Sequence, residues 1–315
     1  MAKDEAKVLS MNPLHFPPYL ALGIGILSLS SSAIFVRWAD APGPVTSFYR
    51  MAIAVVLLAW PFYRQVKTKG SLSRQGLQFA VLGGLFFALD LALWATGVVL
   101  SGAANPTLLA NTAPLWVGLG ALVLLRERLN ATFWAGLLLA MTGAVVILGL
   151  DSLRAMSFRV GTLFGLLAGV FYGGYYLITQ CGRQTLGSLT YFWPAAVSST
   201  LVLLILSLAL RQPLTGYPAL TYLNFLALGV VSQVFGYLAI NYALGYLPAS
   251  IVSPTMLGQP VLTVLLARAL LGETLSLSQA LGGIALLAGV YTVHRSRHGR
   301  SISAVASSAG RWESG

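Results

Sequence analysis

The stretch PLWVGLGALVLLRERL, residues 114–129, is an apolar run that begins with a proline and carries a glutamate between two arginines near its end. The stretch PVLTVLLARALLGETL, residues 260–275, repeats this arrangement at an offset of 146 residues. Seven of the sixteen aligned positions are identical, and they include the proline and the glutamate. Leucine matches mean little in an apolar protein, but a repeated proline and glutamate indicate an internal duplication.

The same offset continues into the next apolar run, where two glycines of each copy match. The repeated motif is therefore a proline, a glutamate and two glycines: Pro114, Glu127, Gly136 and Gly143 in the first copy, and Pro260, Glu273, Gly282 and Gly289 in the second. Small residues let membrane helices approach closely, so we interpret these glycines, together with Gly283, as a packing surface between the copies or between two protomers.

Each glutamate of the motif lies in the short turn before the next apolar run. A carboxylate in that position accepts hydrogen bonds from the free backbone N–H groups at the start of a helix. We therefore interpret Glu127 and Glu273 as structural residues, with a role in gating or proton coupling as the alternative.

The composition is that of a protein with many membrane spans. Apolar residues make up 57% of the chain and charged residues 9%, against about 45–50% and about 25% in ordinary globular domains. The net charge of +11 comes from Lys and Arg between the apolar runs and at the termini. This distribution is typical of cytoplasmic loops and speaks against nucleic-acid binding.

A helix needs about twenty mostly apolar residues to cross a membrane, because hydrocarbon satisfies no backbone polar group. Ten stretches meet this requirement, and we predict an all-α integral membrane fold with these spans: 17–37, 44–63, 76–99, 103–125, 131–150, 160–180, 188–210, 218–241, 246–270 and 276–293. The predicted units are a cytoplasmic N-terminal segment (1–16), two five-helix repeats (17–150 and 160–293) and a disordered basic tail (294–315).

The positive charges predict the orientation. With both termini in the cytoplasm, thirteen Lys and Arg residues lie on the cytoplasmic side and four on the opposite side, as the positive-inside rule requires. Because each repeat has five spans, an odd number, the second repeat enters the membrane from the opposite side. Inverted repeats are typical of secondary transporters, whose substrate site lies near the bilayer midplane between the halves.

Several function classes lack the residues that they need. The chain has one cysteine, Cys181, and its three histidines, His15, His294 and His298, lie outside the predicted spans. We therefore predict no metal site, no cofactor and no enzymatic activity, and the absence of a Gly-rich phosphate loop indicates that ATP does not drive the protein. The expected partners are a small-molecule substrate and the lipid bilayer; proton coupling and the choice between monomer and homodimer are left open.

The order of proline, glutamate and two glycines at the end of each half resembles the EamA-type repeat of the drug/metabolite transporter superfamily. The stretch FYRMAIAVVLL, residues 48–58, resembles the head of its second helix. The resemblance covers residues 17–293 and implies a ten-helix inverted-repeat carrier of the inner membrane, whose relatives often export amino acids or related metabolites.

Two departures qualify this resemblance. Arg50 has no arginine counterpart in the second half, where Trp193 or a neighbour takes its place, so the halves differ in function. The first span carries no carboxylate, whereas the small multidrug pumps that the superfamily resembles rely on one. This departure makes a drug or organic-cation efflux pump a less favoured function. It remains the alternative, together with metabolite uptake.

Ionisable residues inside a membrane are costly and mark functional sites. Arg50 and Asp90 fall at similar depths in the second and third spans, where they either form a closed ion pair or face a cavity and hold a substrate carboxylate and ammonium. Arg268 is expected to extend toward the membrane surface. The remaining candidates for substrate binding are polar or aromatic residues at mid-depth: Trp94, Asn105, Asn111, Gln233, Tyr237, Asn241 and Gln259.

Overall fold

The protein is described by a computed structural model that covers residues 16–70, 72–101, 104–148, 160–271 and 276–309. Within these ranges the ordered elements are helices. In the first half they are α1 (Pro18–Ser30), α2 (Ser32–Ala39), α3 (Gly43–Lys69), α4 (Arg74–Ser101), α5 (Ala104–Ala110), α6 (Ala113–Val123) and α7 (Ala131–Leu148). In the second half they are α8 (Val160–Arg183), α9 (Ser188–Ala209), α10 (Ala219–Ala227), a π-helix (Leu228–Tyr237), α11 (Leu238–Ala243), α12 (Ala249–Met256), α13 (Gln259–Leu271) and α14 (Leu277–Ala309).

The helices confirm a multi-pass, all-α membrane protein. Eight helical stretches among the described residues are long and apolar enough to cross a bilayer. Two shorter apolar stretches, Pro18–Ser30 and Ala249–Leu265, fall at the first and ninth predicted spans. The last helix, α14, continues to Ala309 and so enters the segment for which the sequence predicts disorder. Leu277–Ala309 contains no proline that would end it.

The fourth and ninth predicted spans are broken helices, where the sequence predicts continuous ones. The first break lies at residues 111–112 and the second at 257–258, which is the same offset of 146 residues. The repeated prolines explain both breaks. A proline ring clashes with the carbonyl group four residues earlier, and the residues four positions before Pro114 and Pro260 are Ala110 and Met256, which end α5 and α12.

A third break separates α1 from α2 at Ser31. The Ser30 hydroxyl donates to the Ile26 carbonyl oxygen at 2.7 Å, and the Ser31 hydroxyl donates to the Ser28 carbonyl oxygen at 2.8 Å. Serine hydroxyls that bond to the preceding turn compete with the helical hydrogen bonds and bend helices. The serine run at residues 28–32, SLSSS, is thus the local cause of the break.

The glycines of the repeated motif pack the two halves against each other. A Cβ atom at Gly136 would lie 2.9 Å from the Gly289 carbonyl oxygen, and one at Gly282 would lie 2.9 Å from the Gly143 carbonyl oxygen. Since residues 136 and 282 are equivalent, and so are 143 and 289, α7 and α14 run antiparallel about an approximate twofold axis. Gly283 departs from the predicted packing surface, because a Cβ atom there would meet nothing within 4 Å.

Candidate functional site

A cavity of about 420 Å³ lies among the halves of the broken helices. All three breaks contribute to its wall: Ala110 and Asn111 from the first, Gln259 and Pro260 from the second, and Ser30 and Ser32 from the third. Irregular backbone at membrane depth is tolerated where it lines such a cavity. The volume is within the range of about 300–1,000 Å³ that is usual for small-molecule sites.

Arg50 and Asp90 both line this cavity. Their exposed fractions are 3% and 5%. Among the described residues no hydrogen bond or salt bridge joins the two side chains, and the Arg50 Nε atom is buried without a hydrogen-bond partner. The closed ion pair considered from the sequence is therefore absent from this part of the chain. The cavity wall instead carries one guanidinium group and one carboxyl group that are not bonded to each other.

Four further residues predicted from the sequence lie in the wall of the cavity: Trp94, Asn111, Tyr237 and Gln259. The Trp94 indole nitrogen donates to the Thr107 hydroxyl at 3.1 Å, which fixes the plane of its ring. The side chains of Asn105 and Arg268 lie outside the described residues, as does Glu273.

Gln233 and Asn241, which the sequence also suggested for substrate binding, do not line this cavity, and their side chains are fully buried. The Gln233 amide contacts the Met51 sulfur at 2.7 Å, and the Asn241 amide donates to the Tyr175 hydroxyl at 2.8 Å. The π-helix Leu228–Tyr237 gives a physical reason. Its wider i→i+5 winding changes which residues face the cavity, and a π segment is not readable from hydropathy.

Sequence reasoning missed several hydroxyl-bearing residues of the wall: Ser30, Ser32, Thr107 and Thr263. Thr263 donates to the Ser30 carbonyl oxygen at 3.2 Å and so joins the half-helix after the second break to the third break. The signal that could have found them was the pair of prolines, because a helix break inside a membrane marks the polar groups around it.

Aromatic rings close one side of the cavity. The Tyr237 hydroxyl donates to the Tyr172 hydroxyl at 3.3 Å, and the Tyr176 hydroxyl donates to the same oxygen at 2.8 Å. Behind them the Phe87 ring contacts both Tyr237 and Tyr175, with centroids 4.6 Å apart in each case. These stacked and tilted rings form a buried layer behind the Tyr172 and Tyr237 side of the cavity wall.

Glu127 does not cap the next helix as predicted. The Phe133 backbone N–H, in the first turn of α7, donates to the Asn130 side chain at 2.9 Å. The Glu127 carboxylate instead accepts from the Ser250 hydroxyl at 2.7 Å and from the Arg297 guanidinium at 2.6 Å. It therefore ties a loop of the first half to α12 and α14 of the second half.

The half-helix α12 is held by two more polar contacts besides the one from Ser250. Its first backbone N–H, at Ala249, donates to the Gln180 side chain at 2.6 Å. The Thr255 hydroxyl lies 2.8 Å from the His294 Nε2 atom. Contacts from α8, from α14 and from the loop before α7 thus converge on this short helix, which is followed directly by the break at 257–258.

The architecture matches a known family of proteins. The family model described as the EamA-like transporter family matches residues 17–149 and again residues 159–295. The chain belongs to the EamA-like transporter family. The two matches correspond to the two copies of the motif, and the protein is accordingly a multi-pass transporter.

Relatives of this EamA-like transporter agree with that assignment. An uncharacterized transporter of Archaeoglobus fulgidus is 27% identical over 289 residues, which is 89% of this chain and 98% of that protein. The pseudopaline exporter CntI of Pseudomonas aeruginosa is 30% identical over 138 residues, 43% of this chain and 46% of that protein. A solved crystal structure has the same fold, with a TM-score of 0.72 and 18% identity, covering 88% of this chain and 96% of the other.

Proposed function

We propose that this EamA-like transporter is a secondary carrier of small zwitterionic metabolites, most simply amino acids, and that it exports them. The single observation that supports this proposal is that Arg50 and Asp90 line the same cavity and are not bonded to each other. A buried charge is costly without a partner. A ligand with a carboxylate and an ammonium group supplies a partner to each.

The proposed transport cycle uses ten crossings and two inverted halves. Rocking of one half against the other about the α7–α14 contact exposes the cavity first to one side and then to the other, as in other inverted-repeat carriers. In this proposal the protein lies in the inner membrane and both of its termini lie in the cytoplasm. Export is favoured because one relative is named as an exporter.

We also assign a gating role to Glu127. For α12 to move at the break that follows it, the contact from Ser250 to the Glu127 carboxylate has to open, while Arg297 holds the same carboxylate to α14. Glu127 lies at the end of the span that the first break interrupts, and this break lines the cavity. Opening or closing of the Glu127 contacts is therefore linked to the shape of the cavity.

An organic-cation pump is the competing function, and the same cavity distinguishes it. An organic cation would bind to Asp90 and to the aromatic wall, which includes Trp94 and Tyr172. The buried positive charge of Arg50 would repel it. Removal of the Arg50 charge would then strengthen binding, because the like-charge repulsion would be lost. A zwitterion carrier loses binding instead.

Counterflow in liposomes tests the proposal. Purified protein is reconstituted in vesicles loaded with an unlabelled amino acid, and the entry of the labelled compound is measured for the parent, Arg50→Gln, Arg50→Lys and Asp90→Asn. We expect saturable exchange in the parent and at least a tenfold loss in Arg50→Gln and Asp90→Asn, since each leaves a buried charge of the ligand unpaired. Lysine keeps the charge but not the planar fork of donors, so partial activity is expected there.

Two matched changes serve as controls. Arg64→Gln removes an exposed cation from the same helix as Arg50, and Asp40→Asn removes a carboxylate outside this cavity at a left-handed position that asparagine tolerates. Both should exchange like the parent. Unchanged exchange in Arg50→Gln would contradict the zwitterion assignment, and faster exchange of cations in that variant would favour the competing function. A pH gradient imposed across the same vesicles tests a proton as the coupling ion.

A further inference from the structure

Two side-chain amides, Asn111 and Gln259, lie beside corresponding helix breaks of the two halves, although the 146-residue offset pairs Asn111 with Leu257 and not with Gln259. Asn111 is the first residue of the break in the first half, and Gln259 begins the half-helix directly after the break in the second half. Both line the same cavity. The two breaks therefore bring one amide from each half to a single ligand site.

These amides differ from most other neutral polar groups in the wall, which are engaged inside the protein; the exception is the Ser32 hydroxyl, which makes no hydrogen bond among the described residues. The Thr107 hydroxyl accepts from Trp94 at 3.1 Å, the Thr263 hydroxyl donates to the backbone of Ser30 at 3.2 Å, and the Tyr237 and Tyr172 hydroxyls bond to each other. Among the described residues, neither the Asn111 nor the Gln259 side chain makes a hydrogen bond.

An amide group carries two donors and an acceptor with two lone pairs. Away from bulk water it is costly to leave such a group unpaired. Two unengaged amides that face one cavity are thus suited to a ligand that itself has a hydrogen-bonding group. Arg50 and Asp90 account for the charged end of a zwitterion, and the amides remain for its side chain.

We propose that Asn111 and Gln259 select ligands whose side chain ends in an amide or a hydroxyl, in preference to apolar side chains of the same size. This inference rests on the proposed function and narrows its substrate class to polar, uncharged amino acids. A site built to hydrogen-bond a ligand discriminates strongly against the analogue that lacks the group, because its own polar atoms are then left unpaired.

The position of the two amides also links selection to movement. Each lies at a helix break, and the two belong to different halves, so a ligand bonded to both holds the halves in one relative arrangement. A correct ligand is therefore expected to raise the rate of exchange as well as the affinity, whereas an apolar isostere fills the space without joining the halves.

The experiment compares near-isosteric pairs as competitors of labelled counterflow: asparagine with leucine, threonine with valine, and glutamine with methionine. In the parent we expect the polar member of each pair to compete about tenfold better, which corresponds to roughly one net hydrogen bond. Asn111→Leu and Gln259→Leu should each bring the ratio close to one, mainly by weakening the polar member. Leu265→Val is the control, since it alters an exposed side chain of the same half-helix as Gln259 that does not line the cavity, and its ratio should equal that of the parent.

An equal or better competition by the apolar members in the parent would overturn the inference, and so would a parent-like ratio in both leucine variants. If a leucine variant does not fold, as judged by gel filtration and thermal melting, Asn111→Ala or Gln259→Ala replaces it. The proposed function fails in a different way, because then no member of any pair competes. A parent that exchanges amino acids through Arg50 and Asp90 but ignores side-chain polarity keeps the proposed function and loses this inference alone.

Discussion

Adjacent glycines of α14 should respond in opposite ways to the same small change. A Cβ atom at Gly282 would lie 2.9 Å from the Gly143 carbonyl oxygen and 3.0 Å from the Ile147 backbone nitrogen. Both atoms belong to the backbone of α7, so the helices have to separate, at a cost of about 1–3 kcal/mol for an overpacked contact. At Gly283 the space is open, and alanine is the better helix former by about 1 kcal/mol.

Gly282→Ala is therefore expected to be less stable than Gly283→Ala by about 1–3 kcal/mol, because the gain in helix propensity is common to both changes and only the overpacking differs. The assay is thermal and denaturant unfolding of both variants in the same detergent, with Gly136→Ala as a third variant. Gly136 is the equivalent of Gly282, and its added Cβ atom would meet the Gly289 carbonyl oxygen at the same 2.9 Å, so the two losses should be similar. Equal stability of Gly282→Ala and Gly283→Ala would refute the packing argument.

Three further predictions concern the loop between α6 and α7. Glu127→Gln should lower the unfolding free energy by about 1 kcal/mol, because the ion pair with Arg297 is partly exposed, and the difference from the parent should shrink in high salt; a salt-independent loss would contradict the ion-pair account. Arg126 has a left-handed φ of 52°, so Arg126→Gly should stabilise the protein by about 1 kcal/mol in denaturant unfolding, and a loss of stability would show that its side chain matters more than its backbone. Asn130→Ala should cost about 1 kcal/mol through the lost cap of α7, with Asn130→Asp close to the parent; equal losses in both would exclude capping as the cause.

The helical class and most spans were predictable because each rests on averages over many residues, and the duplication was predictable because a proline, a glutamate and two glycines recur at one offset. It did not predict the breaks at 111–112 and 257–258, since a hydropathy window of about twenty residues is barely changed by two interrupted positions. The repeated prolines, however, indicate where the two helices break. The clash of Pro114 and Pro260 with carbonyl groups four residues earlier places each helix end at the residue where it is observed.

The candidate site was only partly predictable for a related reason. Charge and depth marked Arg50 and Asp90, and both line the cavity. For polar residues, depth alone does not tell which face of a helix they occupy. Gln233 and Asn241 are at suitable depths but lie on faces that the π segment and the neighbouring helices bury, and nothing in their immediate sequence distinguishes them from Asn111.

The two halves share their shape but not their chemistry. At the offset that relates the breaks, Ala196 and Gly236 stand in place of Arg50 and Asp90, and Trp193, the counterpart of Arg50 considered above, is also uncharged. Both cavity charges therefore belong to the first half. If the halves exchange conformations during transport, the breaks exchange roles, whereas the charged groups stay together on one half. The ligand can then keep its ionic contacts through the whole cycle, and only the contacts to the second half, with Gln259 among them, have to change. On this argument Gln259→Leu should reduce the exchange rate of a ligand with a polar side chain and leave that of an apolar ligand close to the parent rate. Arg50→Gln should reduce the affinity for every ligand. Steady-state counterflow at varied ligand concentration separates the two effects, and an Arg50→Gln variant with a lower rate but parent affinity would show that the charges do not stay with the ligand.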